Sequence, residues 1–302
     1  MSWTEKNLPD LSGSTVIVTG ANSGIGFHTA RHLAGHGAHV VLACRNTDAA
    51  REAAAKIDGS TEVAELDLAS LESVRRFAEH YDRSVDRPVD VLVNNAGVMT
   101  PPRYRETVDG FELQWGTNHL GHVALTALLL PRLLAAPAPR VVAVGSVAHH
   151  AGSDAVLGGN PEATYRPNEA YGNTKLANIL FARELQRRAS AAGSTLTATA
   201  AHPGVSATGL FGSRDGLGAI APIRWTAPLW TRVVFQSALN GARPVMYAAT
   251  EAAPGSYSGN TWMGEWRGPV GPAKLSRWAK DDALAARLWE LSLKQAGVTF
   301  DL

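Results

Sequence analysis

Val16-Ile17-Val18-Thr19-Gly20-Ala21-Asn22-Ser23-Gly24-Ile25-Gly26 is a β-branched run that breaks into glycines at 20, 24 and 26. A short apolar run of this kind is a buried-strand signal. A helical pattern follows, carrying Ala30, Leu33 and Ala34 to a stop near Gly35 and Gly37. Strand, glycine turn and helix in that order is the context in which such glycines bind a dinucleotide. Gly20 permits the tight turn, Gly24 lets backbone amides approach a pyrophosphate, and Gly26 lets helix and strand pack closely. Asn22, Ser23 and Ile25 complete the cradle, at a helix N-terminus that favours an anion. A glycine-rich turn with no ligand is the plainer alternative.

Outward from that turn, strand and helix patterns alternate. A second strand over residues 39–43 ends in Cys44-Arg45, where an NAD-selective protein usually carries a carboxylate for the ribose hydroxyls. Arg is suited to the 2′-phosphate of NADP, although a solvated strand-end Arg reads equally simply. Residues 48–56 form a surface helix, and residues 63–67 a third strand with Asp67 at its mouth. Asp67 and Leu68 could meet an adenine edge, while Ser70 could cap the helix carrying Val74 and Phe77. A fourth strand, 89–93, runs into Asn94-Asn95-Ala96-Gly97, whose amides either meet a cofactor ribose or tie neighbouring strands together. Asn118 falls in a helix expected over 112–134, inside an apolar stripe, and must find partners there, through a bulge or a water chain, unless its face is exposed. A fifth strand, 140–145, ends at Ser146.

Tyr171 and Lys175 are four residues apart on a helix expected over 169–191, so they share one face. A nearby ammonium favours the phenolate, so the pair predicts a Tyr able to exchange protons nearer neutral pH. Tyr and Lys at this spacing also occur by chance on helix surfaces. A sixth strand, 196–201, leads into His202-Pro203-Gly204-Val205. Residues 206–238, with glycines among Leu210, Phe211, Ile220, Trp225, Leu229 and Trp230, suggest a substrate lid, or else a buried packing excursion or subunit contact. Helices over 240–250 and 281–295 and a last strand at 261–263 close the chain.

The bulk numbers limit the possibilities. Lys plus Arg total 28 against 27 Asp plus Glu, a net charge of +1 over 302 residues, so no basic field points to nucleic acid. The lone Cys44 cannot form an internal disulfide, and no Cys/His cluster suggests a metal, which fits a reduced, cytoplasmic setting. The N-terminus has no signal-peptide core, and the longest apolar run, 123–130, stops at Pro131, too short to span a bilayer. Without linkers or repeats, the alternation predicts one doubly wound α/β domain over 1–302, with a central, mostly parallel sheet flanked by helices.

Thr19 to Gly26, Asn94 to Gly97, Asn118, Ser146 and Tyr171-x-x-x-Lys175 together resemble the short-chain dehydrogenase/reductases, over residues 14 to 205. Leu42 to Asn46 and Ala170 to Asn178 look like the branch with retinol dehydrogenases and protochlorophyllide reductases. The resemblance implies a Rossmann-type domain in which Ser146 bonds the substrate oxygen and Tyr171 exchanges a proton with it. It implies that Lys175 lowers the Tyr pKa and holds the nicotinamide ribose, while Asn118 positions a water leading to Lys175. Pro203, Gly204 and Val205 would flank the carboxamide, with Thr208 toward the pyrophosphate. It also implies a homodimer or homotetramer through the helices over 112–134 and 169–191. Leu176, Ile179, Leu180 and Leu185 on the second exceed what one core-facing stripe needs. The function expected is NADP(H)-dependent hydride transfer to or from a carbonyl or secondary alcohol of an apolar small molecule. Reduction of a ring carbon–carbon double bond and a non-catalytic NADP-binding regulator are the alternatives.

Overall fold

A computed structural model describes residues 3–84, 87–204 and 237–302. Among these residues, eight strands form one sheet in the order β3-β2-β1-β4-β5-β6-β7-β8. The strands are β1 Thr15–Thr19, β2 His39–Cys44, β3 Thr61–Glu65, β4 Val91–Asn94, β5 Arg140–Val144, β6 Thr197–Ala201, β7 Tyr257–Trp262 and β8 Arg267–Pro272. All pairings are parallel except β7 with β8. The order reverses between β1 and β4, and a crevice opens there at the strands' C-terminal ends, the usual ligand position in such sheets.

Helices cover both faces. One face packs under α1 (Gly24–Gly35), α2 (Thr47–Ala54) and α7 (Ala238–Thr250), through Leu33, Ala50 and Met246. The other packs under α3 (Leu71–Ser84), α4 (Gly121–Leu128), α6 (Pro167–Ala191) and α8 (Asp282–Ala296), through Val74, Val123, Leu185 and Trp289. Central strands are covered on both faces, as β1 is: every one of its five residues is buried, with an apolar Val16-Ile17-Val18 middle.

Several expectations change. The helix expected over 112–134 is three pieces: a π-turn over Trp115–Leu120, then α4, then α5 (Leu130–Leu134). Gly121 N–H reaches back five residues to Gly116 O, and Pro131 restarts the helix after Leu129. The third strand ends at Glu65, so Asp67 lies in the loop beyond it. The last strand is not 261–263. β7 starts at Tyr257, and an antiparallel β8 follows it at the sheet edge. Most of the expected lid falls on residues 205–236, outside the described residues, and Ala238 already belongs to α7.

The four leucine and isoleucine side chains that looked surplus on α6 are all 0% exposed within this one chain. The sheet strands β5 and β6 and the terminal helix α8 all pack on α6, with Trp289 of α8 stacked on Phe181 at 5.4 Å. No helix among the described residues is long and apolar enough to cross a membrane.

Candidate active site

The crevice is a cleft of about 720 Å³. Gly20, Asn22, Ser23, Gly24, Ile25, Gly26, Arg45, Asp67, Leu68, Asn95, Ala96, Gly97, Ser146, Tyr171, Lys175, Pro203 and Gly204 all line it. Asn118 stands just behind the wall, and Val205 and Thr208 lie outside the described residues. The strand ends at the switch point therefore gather in one place residues up to 184 positions apart in sequence, from Gly20 to Gly204.

The turn after β1 is shaped for a ligand backbone to approach. A Cβ on Gly26 would sit 2.5 Å from Gly20 O, a distance that no side chain tolerates. Gly20 has φ +66°, and a Cβ there would lie 2.9 Å from Ala96 Cβ. Ser23 starts α1 without a side-chain cap bond, so the first-turn amides keep their donors for an anion. At the end of β2, Cys44 is buried with its thiol against the backbone of Gly20, Ala21 and Asn22, and burial pushes that thiol up. Arg45 follows on the exposed rim. Asp67 Oδ1 accepts from Ala69 N at 2.9 Å and Ser70 Oγ from Ser73 N at 3.2 Å, so Ser70 caps α3 and Asp67 shapes its own loop.

Both structural and cleft-lining roles appear at Asn94 to Gly97. Asn94 Nδ2 donates to Thr126 Oγ1 at 2.9 Å, and Asn95 Nδ2 donates to Thr19 O at 2.7 Å. The π-turn aims Asn118 inward, where Val98 N donates to its Oδ1 at 2.7 Å and its Nδ2 donates to Val98 O at 2.9 Å. Its side chain thus clamps the strand exit beside Gly97, and Asn118 is buried rather than on an exposed face.

Lys175 Nζ donates to Val144 O at 3.0 Å and lies 5.7 Å from the Tyr171 ring centre. Burial lowers the lysine to about 8 and raises the Tyr171 phenol to about 12, against a lowering contribution from its hydrogen bond with Ser146. The expected depression of the phenol is therefore reversed in this structure. The ammonium is aimed at a backbone carbonyl, and desolvation of the phenolate prevails. At neutral pH the phenol is a proton donor.

This has a measurable consequence. With Lys175 near 8 against an ordinary 10.5, the unfolded chain binds more protons between those values, so stability rises with pH across that window. Tyr171, raised above its ordinary 10, acts oppositely only above pH 10. Between pH 7.5 and 9.5 the lysine is expected to add about 2 kcal/mol. Denaturant midpoints at the two pH values should show this gain in the wild type and lose it in Lys175→Met; an equal gain in both would refute the assignment.

Sequence reasoning missed two supports. His149 Nε2 accepts from Ser276 N at 3.1 Å, so its Nδ1–H donates to Ser146 O at 2.7 Å and holds the serine backbone. Burial lowers that imidazole to about 4, keeping it neutral. Asn178 Nδ2 shares Val144 O with Lys175, at 3.3 Å. Asn178, at i+3 from Lys175 on the same helix, was legible from spacing; Ser276, 127 residues from His149, was not. Met99, Val147 and Ala148 add apolar wall beside Ser146.

A family model described as short chain dehydrogenase matches residues 14–215. Retinol dehydrogenase 13 of Homo sapiens is 39% identical over 300 residues, covering 95% of this chain and 86% of that protein. Retinol dehydrogenase 12 of Homo sapiens is 38% identical over 296 residues, covering 96% and 89%. Among solved structures, an uncharacterized protein from Mycobacterium paratuberculosis aligns over 100% of both chains, with a TM-score of 0.82 and 44% identity. A protein from Beutenbergia cavernae described as an NAD(P)-dependent gluconate 5-dehydrogenase, with NADP bound at low occupancy, aligns with a TM-score of 0.61 at 26% identity. It covers 82% of this chain and 95% of its own.

Proposed function

The chain belongs to the short-chain dehydrogenase family, and from that premise we propose that it moves a hydride between NADP(H) and a carbonyl or alcohol carbon of an apolar substrate. Oxidoreductase action on alcohol or carbonyl groups follows from the family and its retinol dehydrogenase relatives. The observation that carries the finer reading is the meeting of Ser146, Tyr171 and Lys175 with the glycine turn in one cleft.

The residues present fit a dinucleotide: the turn packs too closely for side chains at Gly20 and Gly26, and Gly24, at φ 56°, leaves the backbone amides open to a pyrophosphate. Gly20 to Gly26, Arg45, Asp67, Leu68, Asn95 to Gly97, Pro203 and Gly204 would hold it, and Val205 and Thr208 belong to the same reading. When bound, the nicotinamide supplies or receives the hydride. The chain handles the charge that develops on the substrate oxygen. Ser146 donates a hydrogen bond to that oxygen, and the neutral Tyr171 phenol donates a proton to it in the reducing direction. Lys175, tethered by Val144 O, stabilises the phenolate left behind. Asn118 holds Val98 and so keeps the wall beside Gly97 in place.

The apolar wall of Met99, Val147 and Ala148 supports an apolar substrate, and retinol with retinaldehyde is the first pair to try, given what the relatives are named for. The decisive experiment is a screen of apolar aldehydes, ketones and conjugated ring alkenes, read as loss of NADPH absorbance. Turnover of aldehydes or ketones supports this reading. Turnover of alkenes alone would shift it to double-bond reduction, and no turnover with intact NADPH binding would favour a regulator.

A cytoplasmic setting is part of the same reading, supported by the free, buried thiol of Cys44. A homodimer or homotetramer belongs to the same reading, although Leu176, Ile179, Leu180 and Leu185 of α6 are already buried within the one chain.

A further inference from the structure

His122 lies on α4, one turn past Asn118, is 3% exposed, and does not line the cleft. We propose that His122 is a positioning residue that holds the cofactor side of the cleft in place through Thr19. The proposal rests on reading that cleft as a nicotinamide-dinucleotide site.

His122 Nδ1 lies 3.0 Å from Asn118 O, and Nε2 lies 2.9 Å from Thr19 Oγ1. A backbone carbonyl only accepts, so Nδ1 carries the proton. Burial pushes the imidazole down to about 4, so the ring is neutral and Nε2 is a bare acceptor. Thr19 Oγ1 accepts from Asn95 N and Ala96 N, each at 2.9 Å. Those two bonds use both lone pairs of a hydroxyl. The remaining hydroxyl proton has two acceptors in reach, His122 Nε2 at 2.9 Å and Val93 O at 3.3 Å. The shorter contact decides it, and the bonds run in one direction. The Ala96 amide, and the Asn95 amide that is shared with Val93 O at 3.0 Å, point to Thr19, its hydroxyl points to His122, and His122 points to Asn118.

The consequence reaches the cleft although neither Thr19 nor His122 lines it. Asn95 and Ala96 form the wall that closes on Gly20. With no acceptor at Nε2, the hydroxyl turns to the longer Val93 contact and aligns less well with the two amides. The wall then loses its register against the glycine turn. At its other end His122 steadies the carbonyl of Asn118, whose side chain clamps Val98.

The two ends can be separated by substitution. His122→Gln places an amide oxygen near the position of Nε2 and keeps an acceptor for Thr19. His122→Asn keeps a donor near Nδ1 for Asn118 O and leaves Thr19 without one. NADPH dissociation constants, measured by tryptophan quenching without substrate, are expected to stay within about twofold of wild type for Gln. They are expected to weaken about tenfold for Asn, the scale of one hydrogen bond. Melting temperatures should fall alike in the two. His122→Asn should add little further loss to Thr19→Val, because the hydroxyl that His122 holds is already gone.

Equal weakening in Gln and Asn, no weakening in either, or additive losses with Thr19→Val would overturn the proposal. The unmodified chain supplies a reading that does not depend on any variant folding. Nitrogen NMR of labelled histidine should show His122 as the neutral Nδ1–H tautomer, and an Nε2–H tautomer would overturn the proposal. If the unmodified chain binds neither NADPH nor NADH, the reading of the cleft fails and takes this proposal with it. If it binds NADPH but Gln and Asn behave alike, only this proposal fails.

Discussion

Tyr171→Phe is expected to lower turnover about 10²–10⁴-fold, the usual worth of a positioned general acid, while leaving NADPH affinity nearly unchanged. The substitution removes one hydroxyl and keeps the ring that lies 5.7 Å from Lys175 Nζ. What is lost is the proton donor and its hydrogen bond with Ser146. In free-energy terms this is about 3–5 kcal/mol of transition-state stabilisation. The other phenol nearby, Tyr257, packs its ring against Gly145, but its hydroxyl is buried and the residue does not line the cleft. It offers no substitute donor. The measurement is steady-state turnover of the best substrate from the screen, with cofactor binding titrated separately. A Phe variant keeping more than about a tenth of wild-type turnover would remove Tyr171 from the role of acid.

The second large effect concerns the choice of cofactor. NADPH is expected to bind better than NADH, and Arg45→Ala to weaken NADPH while barely changing NADH. A charge-assisted hydrogen bond contributes about 1.5–3 kcal/mol, or about 10- to 150-fold in affinity. Arg45 sits exposed on the rim, which places the effect toward the lower end and makes it weaken with added salt. Cys44→Asp is expected to shift preference toward NADH, since a carboxylate would bond ribose hydroxyls and repel a 2′-phosphate. The Cys44 side chain faces the backbone of Gly20 to Asn22, so an aspartate there stands beside the cradle. Titrating both cofactors against wild type and both variants decides the matter. Equal affinities in the wild type, or equal losses for both cofactors in Arg45→Ala, would leave Arg45 a surface residue.

Much of the fold was legible because its signals are local. A β-branched run ending in glycine or asparagine marks β1, β4 and β5 to within about two residues, the usual boundary error. The spacing of Tyr171 and Lys175 placed both on one helix. β8 escaped notice for an equally local reason. Arg267-Gly268-Pro269-Val270-Gly271-Pro272 carries two prolines and two glycines, which read as a loop. Prolines are tolerated there because the strand is at the sheet edge, a fact of topology rather than of composition.

The order of elements, the glycine turn after β1 and the residue types that would meet at the strand ends were all carried by local sequence. Each depends on backbone geometry within a few neighbours. Packing of distant segments sets what those residues experience there. It breaks the helix into a π-turn, because Asn118 finds Val98 and Thr174 across the cleft wall. It buries the surplus leucines of α6 within the one chain, and it joins Thr19 to His122 across 103 positions. It raises the Tyr171 phenol, because burial disfavours the phenolate more than the hydrogen bond with Ser146 favours it. Desolvation and hydrogen-bond direction are set by every atom packed around a group, and most of those atoms come from distant parts of the chain.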